Sequence, residues 1–309
     1  MALYEVFSHS VKIKHKTTLC SKTSLFYILA TALQFIFPIL VAYYTQGFLK
    51  RTGTYREQPD VSFKHKMLLI LETKFPEQLI FWSSYKKLNQ MMSSRTLQLI
   101  PEIEHREVDA NRDGKKDEIQ MSIDIPLTDQ EIYSVKLILI FDYKLYLYSY
   151  FQMECAAFIY CSSALPGSAL SVVGDLMFIQ KQPLKHTGED ERYNIPVIDD
   201  KKDDFSSTNL KNIFLEYSRR NVTAILQNVY PDWIAGRATN QSFKINLVIN
   251  YPEQTILYKV GFWELFKWAF VQYVAIFAIF AYVFHRLKGY VFQKHLLPSI
   301  IIHPLKRDL

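Results

Sequence analysis

Glycine is scarce in this 309-residue chain, with 9 residues, and there are 3 cysteines. So little glycine leaves no Gly-rich loop to cradle a phosphate or dinucleotide, and neither a Walker loop nor a dinucleotide pattern is present. Three cysteines are too few for a disulfide-stapled extracellular module. A Cys155–Cys161 bridge would need an intervening turn, because residues six apart stand far from each other along a straight strand. Gly-x-Ser-x-Gly and His-Glu-x-x-His are also absent, which takes away the common hydrolase and metalloprotease signatures. Five of the eight histidines lie in the tails or beside apolar runs. His65 and His105 fall in strand-like stretches, where surface or satisfied imidazoles are the usual occupants. No internal repeat is visible. With 20 Tyr and 22 Phe, the composition speaks against disorder. The aromatics read as core rather than as a ligand platform.

Two stretches lack charge, and they organise the rest. Residues 24–45 carry no Asp, Glu, Lys or Arg. At about 1.5 Å per residue they cross the hydrocarbon thickness of about 30 Å. Tyr43 and Tyr44 fit an interfacial belt. Ala30-Thr31-Ala32 resembles a signal-peptidase site, but the run continues well beyond it, so an uncleaved anchor is expected. The second run is 262–284, with Glu264 and Lys267 at its start and His285, Arg286 and Lys288 stopping it. Two transmembrane α-helices are expected, flanking an extracellular or luminal domain at 46–261, with tails at 1–23 and 285–309.

The net charge of +6 is unevenly placed. Lys12, Lys14, Lys16 and Lys22 against Glu5 give the first 22 residues +3. Arg286, Lys288, Lys294, Lys306 and Arg307 against Asp308 give residues 285–309 +4. Positive charge confined to the flanks of apolar runs is topology charge rather than a nucleic-acid footprint, so both tails are expected in the cytosol. Lys50, Arg51 and Arg56, just beyond the first run, blur that signal. Asn221-Val222-Thr223 and Asn240-Gln241-Ser242 support it, since both N-glycosylation sequons fall between the spans.

Within the spans, Gln34 and Gln272 are the polar residues of note. Each lies ten to twelve residues from the cytosolic end expected for its span, so the two can meet across a helix pair. Ala275, Ala278 and Ala281 give the second span a small-residue face for another helix, and Pro38 would bend the first span. The alternative is two helices facing lipid or other proteins separately. Cys20, at the membrane edge, is a candidate for S-palmitoylation, with a plain thiol as the alternative.

Period-two alternation marks strands at 61–67, 119–125 and 243–249, with 135–141 and 171–178 as further candidates. Leu210, Ile213, Phe214 and Tyr217 share one helical face, capped by the polar run 206–209. Residues 151–160 read either way. Pro166-Gly167-Ser168, 186–192 and 199–207 read as loops. The domain is therefore expected to be mostly β, an antiparallel sandwich with one or two helical insertions.

One motif suggests a metal. Asp109, Asn111, Asp113 and Asp117, with Gly114 between and the Lys115 carbonyl as a further donor, match calcium-loop spacing. Lys116 and Gln120 depart from the helix–loop–helix pattern, and the residues after the loop are strand-like rather than helical. Calcium is thus a candidate cofactor, against the plain alternative of a solvated Asp-Gly turn.

Read end to end, the sequence resembles the transmembrane protein 231 family. The likeness rests on Met1-Ala2-Leu3-Tyr4-Glu5, Leu19-Cys20-Ser21-Lys22, Glu57-Gln58-Pro59 and the Asp109–Asp117 loop. It continues through Lys181-Gln182-Pro183-Leu184, Arg192-Tyr193-Asn194-Ile195, Arg220-Asn221-Val222-Thr223, Gly261-Phe262-Trp263-Glu264 and Val271-Gln272-Tyr273-Val274. Where some relatives have a sequon at Asn194, Pro196 removes it here. The resemblance implies a non-enzymatic component of the ciliary transition zone. Its implied partners are tectonic-like proteins, B9-domain proteins and other membrane proteins of a Meckel-syndrome-type complex. That complex restricts entry of membrane proteins to the cilium and supports ciliogenesis and Hedgehog signalling. The alternatives from architecture alone are a two-span ion-channel subunit and a luminal calcium- or glycan-binding receptor.

Overall fold

The computed structural model describes residues 13–18, 20–45, 47–75, 78–93, 96–199 and 210–302. In chain order the first elements are β1 (Lys14–Lys16), α1 (Lys22–Tyr44), β2 (Thr52–Glu57), β3 (Asp60–Thr73), β4 (Ile80–Ser83) and α2 (Lys86–Met92). Next come β5 (Glu102–Val108), β6 (Glu118–Ile125), β7 (Ile132–Leu145), β8 (Tyr150–Gln180) and β9 (Glu189–Tyr193). The last are α3 (Leu210–Ser218), β10 (Val222–Ala235), β11 (Phe243–Asn250), β12 (Gln254–Lys259), α4 (Phe262–Gln293) and β13 (Ile300–Ile302). These elements form two compact units, Met1–Arg51 with Val260–Leu309, and Thr52–Lys259.

The first unit is a helical hairpin. Ser21 caps α1, its hydroxyl accepting from the Ser24 amide at 3.1 Å. Both helices are long and apolar enough to cross a membrane. Their outward faces carry exposed apolar side chains such as Leu25, Ile28, Ile39, Val274 and Ile279. A helix that is greasy on its outer side is suited to lipid rather than water. The buried side chains of the pair are Thr23, Ala30, Pro38 and Ala42 on α1 and Ala269, Phe284 and Val291 on α4. Aromatic side chains from both helices meet between them. Phe35 stacks on Phe277 at 5.2 Å, and Phe37 lies 6.0 and 6.2 Å from Phe280 and Phe284. Buried small residues on both helices let the pair approach closely. At one end of the hairpin β1 pairs antiparallel with β13, and Thr23 donates to the Pro298 carbonyl at 2.7 Å. β1 and β13 therefore lie together at one end of the hairpin.

The second unit is a β-sandwich with helices on one outer face. Its nine-stranded sheet runs β4-β3-β7-β8-β11-β6-β5, with β9 and β10 also paired to β8. The first half of β8 pairs with β7 and β9, the second half with β10 and β11. One 31-residue strand thus serves two layers, and the layers fold face to face about it. Across the interior Tyr143 stacks on Phe178 at 5.1 Å, and Phe151 meets the same ring at 5.7 Å. Phe63, Phe141 and Tyr251 form a second aromatic chain.

Strands stand at every position where alternation marked them, and 151–160 is strand. Pro166-Gly167-Ser168 is not a loop: it lies inside β8, where pairing with β7 jumps from Ser162 to Gly167. Proline and glycine there mark the place at which β8 leaves one layer for the other. A Cβ on Gly167 would stand 2.5 Å from the Trp233 ring, so the close approach of that indole requires glycine. The stretch 186–192 is also only partly loop, since β9 pairs parallel with the start of β8. That pairing and β11–β8 make the sheet mixed rather than purely antiparallel. The polar run expected to cap α3 lies outside the described residues.

β7 is buried on both faces, because α2 and α3 cover the side turned away from the sandwich. Leu68, Phe81, Leu88, Ile138, Ile140, Val197, Ile198 and Ile213 form this second core. Such double burial explains why 137–141 is a continuous apolar run rather than an alternating one. At the unit's ends β2 pairs with β12, and two side chains fasten this ribbon to β8. Gln254 accepts from the Phe178 amide at 2.6 Å and donates to the Leu176 carbonyl at 2.8 Å. Gln180 makes the reciprocal pair with both backbone groups of Leu257. These amides replace the missing ladder bonds of an otherwise bare strand edge.

Candidate interaction surfaces

The residues that mark function in the sequence divide between the two units. In the hairpin, Gln34 and Gln272 take different partners. Lys288 reaches from α4 to Thr31 at 3.0 Å and Gln34 at 3.2 Å, and its ammonium lies 5.0 Å from the Tyr27 ring centre. Gln272 donates to the Gly47 carbonyl at 3.2 Å. The reason is register. α4 runs on to Gln293, past the charged residues that end the apolar run, so the helices meet nine residues out of step with a hairpin closed at 284. The glutamines therefore sit at different heights along the pair, each with its own partner. Of the small-residue face on α4, Ala275 and Ala278 are exposed and Ala281 is half-buried. Lys288 is the polar residue that sequence reasoning misses, because a charge at the end of an apolar run reads as a stop signal rather than as a group within the helix pair.

In the sandwich, Asp109–Asp117 forms the turn between β5 and β6. Each acidic side chain is engaged by the loop's own amides. Asp109 accepts from Arg112 at 2.6 Å and Gly114 at 3.0 Å, and Asn111 accepts from Asp113 at 2.9 Å. Asp113 accepts from Lys115 at 2.8 Å. Asp117 accepts from Gln58 at 2.7 Å and from the Ala110 amide at 2.8 Å, which together hold its carboxyl below the usual range. Lys115 reaches away from the loop to the Gln58 carbonyl. Arg112 and Gly114 take the left-handed backbone that the turn requires. Among the described residues no group of three or more His, Cys, Asp or Glu side chains is placed to hold a metal. Calcium in the millimolar range is accordingly expected to leave the thermal midpoint of the chain unchanged. A rise in midpoint abolished by Asp113→Ala would show that the loop reorganises around the ion.

Asn240 is exposed, on a turn before β11, with a left-handed backbone. Asn221 is half-buried, and its side-chain amide donates to Gln182 at 3.3 Å. Asn240 is thus the more open of the two sequons. Cys20 is exposed immediately before α1. Cys155 and Cys161 are free and lie on one strand, about 20 Å apart at the rise of a β-strand. Burial pushes both thiols up, Cys155 far more than Cys161, which suits structural rather than reactive cysteines.

A buried polar network fixes the helical layer to the sandwich. Glu154, on β8, accepts from Lys64 at 3.0 Å and from the Val197 amide at 2.7 Å. Burial works against the Lys64 charge, yet Glu154 and Asp142 outweigh it and hold the amine above its usual value. Arg220, nine-tenths buried, donates to the carbonyls of Glu154 and Ile195 at 2.9 and 3.2 Å. Desolvation lowers its pKa. Beneath α3 lies an apolar cavity of about 280 Å³, lined by Ile138, Phe158, Phe214, Tyr217 and Ile225 among others.

Two apolar helices paired as a hairpin, with one β-sandwich strung between them, define a membrane-protein architecture in which the inserted domain is the bulk of the chain. The Transmembrane protein 231 family profile matches residues 1–301, and the chain belongs to that family. Transmembrane protein 231 of Mus musculus is 42% identical over 302 residues, covering 97% of this chain and 95% of the relative. The Homo sapiens protein of that name matches at 42% with the same coverage. That of Gallus gallus is 39% identical over 308 residues, covering 99% and 96%.

Proposed function

We propose that this chain is a non-enzymatic structural component of the ciliary transition zone. It would act within a tectonic-like and B9-domain assembly that forms a diffusion barrier for membrane proteins and supports ciliogenesis and Hedgehog signalling. The observation that carries the reading is the extent of the family match, which takes in both helices and the whole sandwich. The architecture suits such a role. The outward faces of the hairpin are apolar and can meet lipid or neighbouring spans. The sandwich offers lateral surfaces to other extracellular or luminal domains. β1 and β13 pair at one end of the hairpin, where Lys14, Lys16, Lys22, Arg286 and Lys294 also fall, which favours a cytosolic placement for both tails.

Expression of the tagged chain in ciliated cells tests this reading. Signal is expected at the base of the cilium, with tectonic-like partners co-purifying in mild detergent. Retention at the cilium base after loss of all such partners would overturn the assembly. An epitope at either terminus that antibody reaches in intact, unpermeabilised cells would overturn the orientation.

A further inference from the structure

His65 and His105 belong to opposite layers of the sandwich, on β3 and β5, and come together at its exposed rim. Their ring centres are 4.7 Å apart with the planes at 83°. His65 sits in a β-bulge, where the register of β3 on β7 slips between Phe63 and Lys66, and its backbone is left-handed at φ 56°. A β-bulge re-aims a side chain, and a non-glycine residue held in this region is costly unless its surroundings enforce it. Here the re-aimed side chain is an imidazole turned onto a second imidazole.

Further contacts set the chemistry. The Nδ1 of His65 lies 3.0 Å from the Phe63 carbonyl oxygen. A carbonyl only accepts, so Nδ1 is the donor, and in the neutral ring Nε2 keeps its lone pair. A metal-binding imidazole is commonly held in this way, its other nitrogen donating to a backbone carbonyl. Phe63 stacks on His65 at 5.4 Å and meets His105 edge-on at 5.6 Å, which restrains both rings. Two imidazoles bound to one tetrahedral ion at about 2.0–2.1 Å have ring centres on the order of 5 Å apart.

We propose that His65 and His105 form a two-histidine site for a divalent transition-metal ion of the zinc class, with water completing the coordination. Glu107 is engaged elsewhere, accepting from the Phe63 amide at 2.9 Å and paired with Lys116. The neighbouring Lys64 is turned to Glu154. With two protein ligands the site is open and exchangeable, unlike a closed structural zinc site.

Calorimetric titration of the full-length chain in detergent micelles with zinc chloride tests the proposal. One binding event is expected that weakens by about tenfold or more in both His105→Gln and His65→Asn. Asn tolerates the left-handed backbone, so the second variant keeps the bulge. The event should persist in His15→Gln, which disrupts a second described histidine pair, His15 and His295, with ring centres 6.3 Å apart. Absence of binding up to millimolar zinc, unchanged binding in both variants, or loss in only one of them would overturn the paired site. None of these outcomes depends on where in the cell the chain resides.

Discussion

Replacing Arg220 with methionine is expected to lower the unfolding free energy of the sandwich by about 3–5 kcal/mol. The guanidinium is nine-tenths buried at the junction of α3 and β10. Its fork joins the Glu154 carbonyl of β8 to the Ile195 carbonyl, and it also lies over the Tyr217 ring at 5.3 Å. Methionine fills much of the same volume but donates nothing, so the buried Glu154 carbonyl loses this donor away from water and the Ile195 carbonyl loses its tie to the fork. The segment around Ile195 is also released, and it carries Val197 and Ile198 into the second core. For a domain of this size the midpoint should fall on the order of 10 °C. Arg220→Lys should fall between, because an ammonium keeps the charge without the planar fork. Thermal melts followed by intrinsic fluorescence decide the matter. A loss below about 1 kcal/mol for Arg220→Met would show that the fork contributes little.

Phe141→Ala is the second large effect, again about 3–5 kcal/mol. Phe141 is wholly buried at the middle of β7, between the rings of Phe63 at 5.6 Å and Tyr251 at 6.2 Å. Those two residues belong to different layers of the sandwich, so truncation opens a cavity where the layers meet. Phe141 pairs with Phe63 on one side and Cys155 on the other, so the surrounding backbone is held by two ladders and cannot collapse into the space. Phe141→Leu keeps most of the volume and should cost less than about 1.5 kcal/mol. Urea titration of both variants gives the comparison. Equal losses for alanine and leucine would mean that edge contacts of the ring, not volume, hold the layers together.

Some features of this fold could be read directly from residue order. Strands β6 and β11 bury alternate side chains, and Ile119, Met121, Ile123 and Ile125 display that alternation without reference to anything distant. The faces of α3 and the two apolar runs are equally local. Pro166 and Gly167 were legible as a break in regularity but not as a bend within a strand, because the Trp233 ring that demands glycine comes from a strand far along the chain. The histidine pair was hidden for the same reason: neither imidazole has a neighbour in sequence that announces the other.

The amino-acid sequence alone determined the two apolar helices, the charge at their flanks, the β character of the domain between them and the family. Each of these is written in local period, composition or residue-by-residue likeness. Only the tertiary structure decided that β8 serves both layers, that Lys288 rather than Gln272 meets Gln34, and that the Asp109–Asp117 oxygens are taken by their own amides. Those outcomes depend on register between segments distant in the chain. Register is set by where helices end, where strands bend and which donors lie nearest in space, and no local pattern carries that information.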